Sequence, residues 1–420
     1  MRPEFLRSEL IDAALTSARA VGTPLWLYEA EPIRERVRQL SMFECVRFAQ
    51  KANSNTHILR LLRSMGVAVD AVSFGEIERA LRAGYVPGTE AHEIVFTADI
   101  IDEETLARVI ALRIPVNCGS PDMIRQIGRA GRGHPVWLRI NPGFGHGHNR
   151  KTNTGGPSSK HGIWHEEFED CLRLVDEYEL TLIGLHMHIG SGVDYRHLHR
   201  VCHSMLDAVR RANRPLEAIS AGGGLSLPYR HGDPEIDIAE YYDAWNKTRQ
   251  EAEKITGGPL RLELEPGRYL VGNAGVLVAE VRAVKTVADK HFVLVDAGFN
   301  DLARPILYGS HHDIVFVTPE GAPVAGPVSP IAVAGPLCEA GDVFTQQDGG
   351  FVEFRDLPLP ETGDFAILRD TGAYGATMSS NYNSRPLAPE VMLDAGKLSL
   401  IRKRQSIEQL LELEADTGPL

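Results

Sequence analysis

Four kinds of residue stand at or just past the ends of short apolar runs in this chain, where their side chains are placed to do chemistry. Lys51 follows the run 46–50, His188 closes 181–188, Gly222, Gly223 and Gly224 follow 216–221, and Glu265 closes 260–265. A primary amine condenses with an aldehyde to form a Schiff base. If that aldehyde is carried on a phosphorylated ring containing nitrogen, three further groups are needed: a site for the phosphate, an acid for the ring nitrogen and a flat group against the ring. The chain offers a candidate for each.

Taken singly, each candidate also has a plainer reading. A lysine at a strand terminus can simply be solvated. Three glycines let backbone N–H groups approach an anion, with Ser226 opening a helix behind them and Ser191 adding a hydroxyl, but they equally suit a flexible loop. Glu265 precedes a turn forced by Pro266 and Gly267; there it can keep a pyridine nitrogen protonated, making the ring an electron acceptor, or it can merely pair with Arg268. Asp70, Asn117 and Asn141 occupy corresponding places in or after the runs 67–72, 114–117 and 136–140. His186 and His188 lie two apart on one strand face, yet no third ligand follows at a suitable spacing. No metal is expected, and His188 is read as the flat ring. The segment His146-Gly147-His148 lies among Gly143, Gly145 and a polar stretch to Lys160, which marks a mobile, lid-like loop rather than a metal site.

These positions can act together only if the chain order brings them to one place. Eight strand-like runs (46–50, 67–72, 93–97, 114–117, 136–140, 181–188, 216–221 and 260–265) alternate with helical patterns at 56–65, 75–83, 103–112, 121–130, 168–178, 195–212 and 238–256. Helix-length spacers between buried-looking strands mean βαβ units and a parallel sheet. Eight repeats in about 230 residues is the size of a (β/α)8 TIM barrel, whose active site lies at the C-terminal ends of its strands. A doubly wound sheet is the competing arrangement.

After Gly275 the pattern changes. The runs 276–284, 292–295, 314–317, 331–334, 351–354 and 365–368 are strand-like with little helix between them, so a C-terminal all-β domain, sandwich-like or barrel-like, is expected, closed by a charged helix at 407–414. The run 24–28 reads as a strand before the barrel and is a candidate to pair with that domain. The expected domains are a barrel over 30–275 and a β-domain over 1–29 and 276–420.

Composition narrows the class. The 420 residues suffice for two cores, and 43% hydrophobic with 24% charged residues is ordinary for a soluble globular protein. A net charge of −12 argues against nucleic acid or an anionic membrane as partner. No apolar run approaches the roughly 18 residues that span a bilayer, and the N-terminus lacks the core of a signal peptide, so a cytoplasmic location is expected. Cys45, Cys118, Cys171, Cys202 and Cys338 are scattered without a C-x-x-C pair, so neither a disulfide framework nor a zinc knuckle is expected.

Six ordered strings carry a family resemblance: QKANSN (50–55), HMHIGSG (186–192), AGGGLS (221–226), EPGR (265–268), GPLCEAGD (335–342) and GAYGATMSSNYNSRP (372–386). Over residues 24–412 the chain resembles the diaminopimelate decarboxylases, fold-type III pyridoxal-phosphate enzymes related to ornithine and arginine decarboxylases. The resemblance implies an alanine-racemase-like barrel with a β-domain that takes the N-terminal strand. It also implies a head-to-tail homodimer with shared active sites, no nucleic acid and no membrane.

The implied cofactor is pyridoxal 5'-phosphate. The resemblance makes Lys51 its Schiff-base lysine, His188 the stacking ring and Glu265 the pyridinium partner. Ser191, Gly224 and Tyr374 would hold the phosphate, and Asp70, Gly223, Gly267 and Arg268 complete the expected cofactor contacts. Arg268, Arg304 and Tyr308 would grip the substrate's distal carboxylate, with Tyr374 and Tyr382 nearby. The partner subunit's Glu339 would read the distal amine and the partner subunit's Cys338 would donate a proton. Two guanidinium groups suit a carboxylate and a glutamate suits an ammonium, a pairing that an ornithine enzyme does not need. The implied reaction is decarboxylation of meso-2,6-diaminopimelate at its D-centre to L-lysine and carbon dioxide.

The chain departs from the family pattern in three places. Phe48-Ala49-Gln50 replaces Tyr-Ala-Val, Phe74 replaces a glycine and Ala340 replaces a serine; the first two resemble an enterobacterial-type subgroup. The alternatives are a decarboxylase of a related diamino acid, an amino-acid racemase and an inactive regulatory homologue. A racemase needs a tyrosine base where Cys338 stands, and intact Lys51, Glu265 and Cys338 speak against the inactive homologue.

Overall fold

The computed structural model of the chain describes residues 6–89, 92–145, 154–190, 192 and 195–414. Two compact units divide it: one built on Arg34–Leu227 and Glu235–Leu270, the other on the residues up to Ile33, Pro228–Pro234 and those from Val271 onward.

The first unit is a closed parallel barrel. Its strands are β1 (Cys45–Ala49), β2 (Ala68–Ala71), β3 (Ile94–Phe96), β4 (Val116–Cys118), β5 (Pro135–Asn141), β6 (Thr181–His186), β7 (Ala218–Ser220) and β8 (Arg261–Leu264). Each pairs in parallel with the next, and β8 returns to β1. All eight expected strands are present, so the eightfold barrel is found and the doubly wound sheet is not. Helices start where the sequence supplies a cap. Asn55, Ser73, Asp102, Ser120 and Asp237 each accept a backbone N–H from the following turn, satisfying a donor that the helix leaves open.

Successive strand residues face opposite ways, so alternate positions line the barrel interior in layers. In one layer Arg47 of β1 meets Glu263 of β8, with Nε 2.6 Å from Oε2 and Nη2 3.2 Å from Oε1, and Arg47 also donates to the His92 carbonyl. Both side chains are about 1% exposed. Trp137 of β5 fills space beside Gly184 of β6, where a Cβ would lie 2.3 Å from the indole. Glu265 stands two residues past Glu263, one layer nearer the strands' C-terminal ends.

In the second unit the strand Leu25–Glu29 pairs antiparallel with Gly275–Val287 and parallel with Glu390–Asp394, so the N-terminal strand does join the β-domain. That sheet continues through Lys290–Val295, Val328–Ala334 and Arg355–Pro358, with Phe365–Leu368 and Ile314–Val317 branching from Gly275–Val287. The expected strand at 351–354 is corrected. Gly349 and Gly350 both turn at positive φ, Phe351 is 72% exposed, Val352 makes an isolated bridge to Gln346, and the regular strand begins at Arg355. The sequence reading also passed over the helix Ser8–Val21, which covers the sheet with Leu10, Ile11 and Leu15, and the strands Glu390–Asp394 and Lys397–Arg402. The closing helix is Ile407–Leu411, started by a reciprocal Ser406–Gln409 cap. Among the described residues no helix is long and apolar enough to cross a membrane, and all five cysteines are free.

Glu263→Ala leaves the Arg47 guanidinium buried without its carboxylate and is expected to lower barrel stability by about 3–5 kcal/mol. Chemical denaturation followed by tryptophan fluorescence measures it. Adding Arg47→Leu should restore most of the loss; an E263A midpoint equal to wild type would show that the pair contributes nothing.

Candidate active site

Glu265 follows β8 directly and is 9% exposed. Both its oxygens are engaged. His186, the last residue of β6, donates from Nε2 to Oε2 at 2.7 Å, and the Ser220 hydroxyl, the last residue of β7, donates to Oε1 at 3.1 Å. Ser220 Oγ in turn accepts the Gly222 N–H at 3.1 Å, and the Glu265 N–H donates to the Gly222 carbonyl at 2.8 Å. Three strand ends are thereby tied to one carboxylate. Burial alone would push this carboxyl up, but His186, the nearby His188 and the Ser220 hydrogen bond outweigh it, so Glu265 stays below the usual carboxylate range and is ionised. The plainer reading, in which Glu265 only pairs with Arg268, gives way to this arrangement.

The same end of the barrel gathers charge of both signs. Asp70, the third residue of β2, is 4% exposed; burial first and then the Glu265 charge raise its pKa well above the usual carboxylate range, against the pull of Lys51 and the Thr97 hydroxyl. Lys51 lies in the single turn Gln50–Ala52 that follows β1, with an exposed side chain. Its charge reaches Asp70, Glu76 and His188. Among the described residues its amine holds no hydrogen bond or ion pair. His188, two residues past β6, is half-buried. Burial, then the charges of Arg139 and Lys51, hold its ring far below the ordinary histidine range, so it is neutral.

The glycine run packs against this group. A Cβ at Gly222 would meet the Met187 carbonyl at 2.5 Å, one at Gly223 the Glu265 carbonyl at 2.6 Å, and one at Gly224 the Gly190 carbonyl at 2.5 Å. Cβ atoms at Gly223 and Gly224 would each lie 3.6 Å from His188 Cε1. Gly222 and Gly224 also adopt φ of 63° and 106°. The turn therefore lies between the Glu265 backbone and the His188 ring. One expectation is corrected: Ser226 opens no helix, since the chain stays irregular until Ile238. An anion here would be held by turn N–H groups without a helix N-terminus behind them.

Arg268, in the barrel unit, opens the short helix Arg268–Val271, whereas Arg304, Tyr308, Cys338, Glu339, Tyr374 and Tyr382 belong to the second unit. Arg304 is 4% exposed; Nη1 donates to His312 Nε2 at 2.9 Å, His312 Nδ1 donates to the Arg369 carbonyl at 2.8 Å, and the guanidinium lies 4.7 Å from the Tyr229 ring centroid. Tyr308 ends the short helix Arg304–Tyr308 and is half-buried. Cys338 and Glu339 are exposed, with the Cys338 N–H held by Asn383 Oδ1 at 2.8 Å and the Tyr382 hydroxyl 3.4 Å from Glu339 Oε2. Tyr382 stacks on Phe299, ring centroids 5.3 Å apart. Tyr374 is half-buried at φ 56°. Ser191 and the segment His146–His148 lie outside the described residues.

Comparison with known proteins decides the family. The pyridoxal binding domain of the pyridoxal-dependent decarboxylases matches residues 31–272. A diaminopimelate decarboxylase of Streptomyces coelicolor is 60% identical over 398 residues, covering 95% of this chain and 90% of that protein. The chain belongs to the diaminopimelate decarboxylase family. A crystal structure of a diaminopimelate decarboxylase matches with a TM-score of 0.93 at 56% identity, covering 95% of each chain. Another, from Helicobacter pylori and complexed with L-lysine, matches with a TM-score of 0.83 at 30% identity, covering 95% of this chain and 98% of that one.

Within the barrel of this diaminopimelate decarboxylase family member, sequence reasoning located Lys51, Asp70, His188, Gly223, Gly224 and Glu265 but missed what fixes them. Gly267 is buried, and a Cβ there would crowd Ala52 and Ala49 at 3.1–3.3 Å, which brings the Glu265 turn against the Lys51 turn. His186 was weighed only as a metal ligand, and Ser220 and Arg139 not at all. A charged residue directly after the apolar run Val136-Trp137-Leu138 of β5 was the available signal for Arg139. Asn141 had been noticed without a role. Its Oδ1 accepts from Gly143 and Gly156 at 3.1 and 2.9 Å and its Nδ2 donates to the Gly156 carbonyl at 3.1 Å, pinning both ends of the loop between them. Thr154 of that loop donates from Oγ1 to the His188 carbonyl at 3.0 Å.

Gly224→Ala forces a side chain into left-handed backbone against the Gly190 carbonyl. A strain of about 1–2 kcal/mol should weaken pyridoxal phosphate binding on the order of tenfold, measured by equilibrium dialysis. Gly258→Ala, where a Cβ meets nothing within 4 Å, is the control and should bind as wild type. Equal affinity of G224A and G258A would remove the glycine turn from the anion site.

Proposed function

We propose that the protein is a carboxy-lyase that carries pyridoxal 5'-phosphate and removes the carboxylate from the D-centre of meso-2,6-diaminopimelate, leaving L-lysine and carbon dioxide. The observation that carries this reading is the ionised Glu265, clamped by His186 and Ser220 beside the glycine turn and the neutral His188 ring, at the barrel end where Lys51 offers its amine.

The residues present fit the group. Among the described residues His188 Nδ1 is buried without a partner, and the turn at Gly222–Gly224 leaves no room for side chains, as a backbone cradle for phosphate requires. Lys51 would hold the aldehyde, Glu265 the ring nitrogen and His188 the ring face. Ser191, Gly224 and Tyr374 would hold the phosphate, and Asp70, Gly223, Gly267 and Arg268 would complete the cofactor contacts. When bound, pyridoxal phosphate supplies an aldehyde for an amine and a protonated ring that accepts the electron pair released as carbon dioxide departs. Glu265, its two oxygens held in place by His186 and Ser220, would keep the proton on that nitrogen.

Substrate recognition follows from charge. Arg268 and Arg304, with Tyr308, Tyr374 and Tyr382, would bind the distal carboxylate, and the partner subunit's Glu339 would bind the distal ammonium. The partner subunit's Cys338 would then give the proton from Sγ to the carbon that has lost its carboxylate. In this reading the protein is a cytoplasmic homodimer, and residues 1–29 and 276–420 serve both the active site and the subunit interface. The exposure of Cys338 and Glu339 on a single chain supports it.

Two measurements test the reading. Incubation with meso-diaminopimelate should yield equal amounts of L-lysine and carbon dioxide, abolished by stripping pyridoxal phosphate or by Lys51→Ala; absence of lysine defeats the proposal. Mixing inactive Lys51→Ala and Cys338→Ala subunits should recover roughly a quarter of wild-type turnover, because half the dimers are mixed and each has one intact site. No recovery would refute sharing of Cys338 between subunits.

A further inference from the structure

Two rings of the second unit meet the buried guanidinium of Arg304. Its Nη1 lies 2.9 Å from His312 Nε2, and its central carbon lies over the Tyr229 ring, 4.7 Å from the centroid. The Tyr229 and His312 rings themselves meet edge to face, 5.6 Å apart with their planes at 80°. Tyr229 belongs to this group because the segment Pro228–Pro234 is part of the second unit, although the chain on both sides of it is barrel. Asp233 closes the segment by accepting the Tyr229 and Arg230 N–H groups at 3.0 and 2.7 Å.

Hydrogen-bond chemistry fixes the state of the His312 ring. Nδ1 lies 2.8 Å from the Arg369 carbonyl, which can only accept, so Nδ1 carries the proton. A guanidinium can only donate, so Nε2 is bare and the ring is neutral. The residue is 2% exposed, and its own carbonyl accepts from Arg355 Nη1 at 2.7 Å, with Arg355 paired to Glu353 at 2.9 Å. Backbone and ring are thus both fixed, and the lone pair they present points at Arg304.

The plainer account is a core histidine whose two nitrogens are simply satisfied. Against it stands the contrast with Arg47, also deeply buried, whose guanidinium is closed by the Glu263 carboxylate. An imidazole lone pair orients a guanidinium in its plane as a carboxylate does, but brings no negative charge that would compete with an anionic ligand. We propose that His312 is a positioning residue for substrate recognition: its uncharged Nδ1–H tautomer, together with the Tyr229 ring, sets the plane in which Arg304 meets the distal carboxylate of the substrate. The inference rests on the reading of Arg304 as a ligand of that carboxylate. Pairing of a guanidinium with a carboxylate depends on the alignment of both planes, so a guanidinium free to turn binds the anion more weakly. It also discriminates less between a substrate end that bears a carboxylate and one that lacks it.

Two amides separate the two ring nitrogens. A glutamine amide at 312 reaches the Nε2 position and can accept from Arg304, whereas an asparagine amide reaches only the Nδ1 position and the Arg369 carbonyl. Wild type, His312→Asn, His312→Gln and Arg304→Met, all loaded with pyridoxal phosphate, are compared for kcat and KM with meso-diaminopimelate. Competitive inhibition is measured with L-lysine, which keeps the distal carboxylate, and with 1,5-diaminopentane, which lacks it. H312N is expected to raise the KM and the L-lysine inhibition constant together, roughly 10- to 100-fold, as for loss of a hydrogen bond to a charged group. Its kcat, its affinity for pyridoxal phosphate and its inhibition by the diamine should stay within about threefold of wild type, the pattern of a group that acts in binding. H312Q should recover most of the loss. Wild-type constants in H312N overturn the proposal, and so do equal losses in H312N and H312Q or a loss that spreads to the diamine and the cofactor. Recovery in H312N rather than H312Q also overturns it, by assigning the ring to the Arg369 carbonyl. Should H312N not fold, H312Q decides: constants near wild type uphold the proposal and raised ones reject it. If neither variant folds, the ring belongs to the core and the proposal falls. Wild-type constants in R304M would instead strike the underlying reading of Arg304, and the proposal with it.

Discussion

A carboxylate that must stay charged inside a barrel is the constraint around which this site is built. Glu265 is buried, and Asp70, another buried acid, lies within its field; two such groups do not both ionise easily in a poorly solvated space. The structure settles the competition through hydrogen bonds. His186 and Ser220 donate to Glu265, which therefore keeps its charge, while burial and the Glu265 charge push Asp70 toward its neutral form. Because the two donors are the terminal residues of β6 and β7, the electrostatic choice is also a geometric one, fixing three strand ends at once. The neutrality of His188 follows first from its burial and then from the same field, since Arg139 and Lys51 disfavour another cation.

Below that layer the barrel repeats the logic with a different outcome. Arg47 and Glu263 neutralise one another completely, with the spare guanidinium donor on a carbonyl, and no group is left to receive a ligand. The contrast is informative because both layers use inward positions of adjacent strands. A closed ion pair adds little net stability over an apolar replacement, but removing either member leaves the other charge buried alone. An open set of charges one layer higher leaves polar groups for chemistry, and the fold accepts the local cost there because the layer below is complete.

The barrel was legible because its signal is periodic and redundant: eight runs, helix-length spacers and capping residues at Asn55, Ser73, Asp102, Ser120 and Asp237 all agree. Candidate residues at strand ends followed from that periodicity. What the sequence could not show is which side chains meet across the barrel. His186 looked like half of a metal pair because its partner, Glu265, is 79 residues away, and Ser220 gave no sign at all in an apolar strand. The β-domain was read less well, since an apolar run such as 351–354 carries no information about the two left-handed glycines that turn the chain before it. Helix Ser8–Val21 went unseen because Leu10, Ile11 and Leu15 are its only large buried apolar residues and Ala13, Ala14 and Ala18 mark the rest of the stripe weakly.

The second unit poses a separate question, namely why a thiol and a carboxylate held on a well-fixed loop should stand exposed on a single chain. The backbone around Cys338 and Glu339 is firmly held. Buried Asp342 accepts the Phe299 and Leu337 N–H groups, each at 2.8 Å, a Cβ at Gly335 would come within 2.3 Å of that carboxylate, and Asn383 holds the Cys338 N–H. The loop 379–384 is tied in turn to the Asn300 and Asp301 carbonyls through Ser380 and Ser379. An unconstrained surface loop would not need a buried carboxylate, two serines and an asparagine to fix it. A rigid loop whose thiol and carboxylate face outward is what donation across a subunit boundary requires, because order already present in the free chain need not be supplied when the subunits meet. The proposed sharing of active sites thus accounts for the combination of local rigidity and surface exposure, which neither a buried structural cysteine nor a solvated charge would explain.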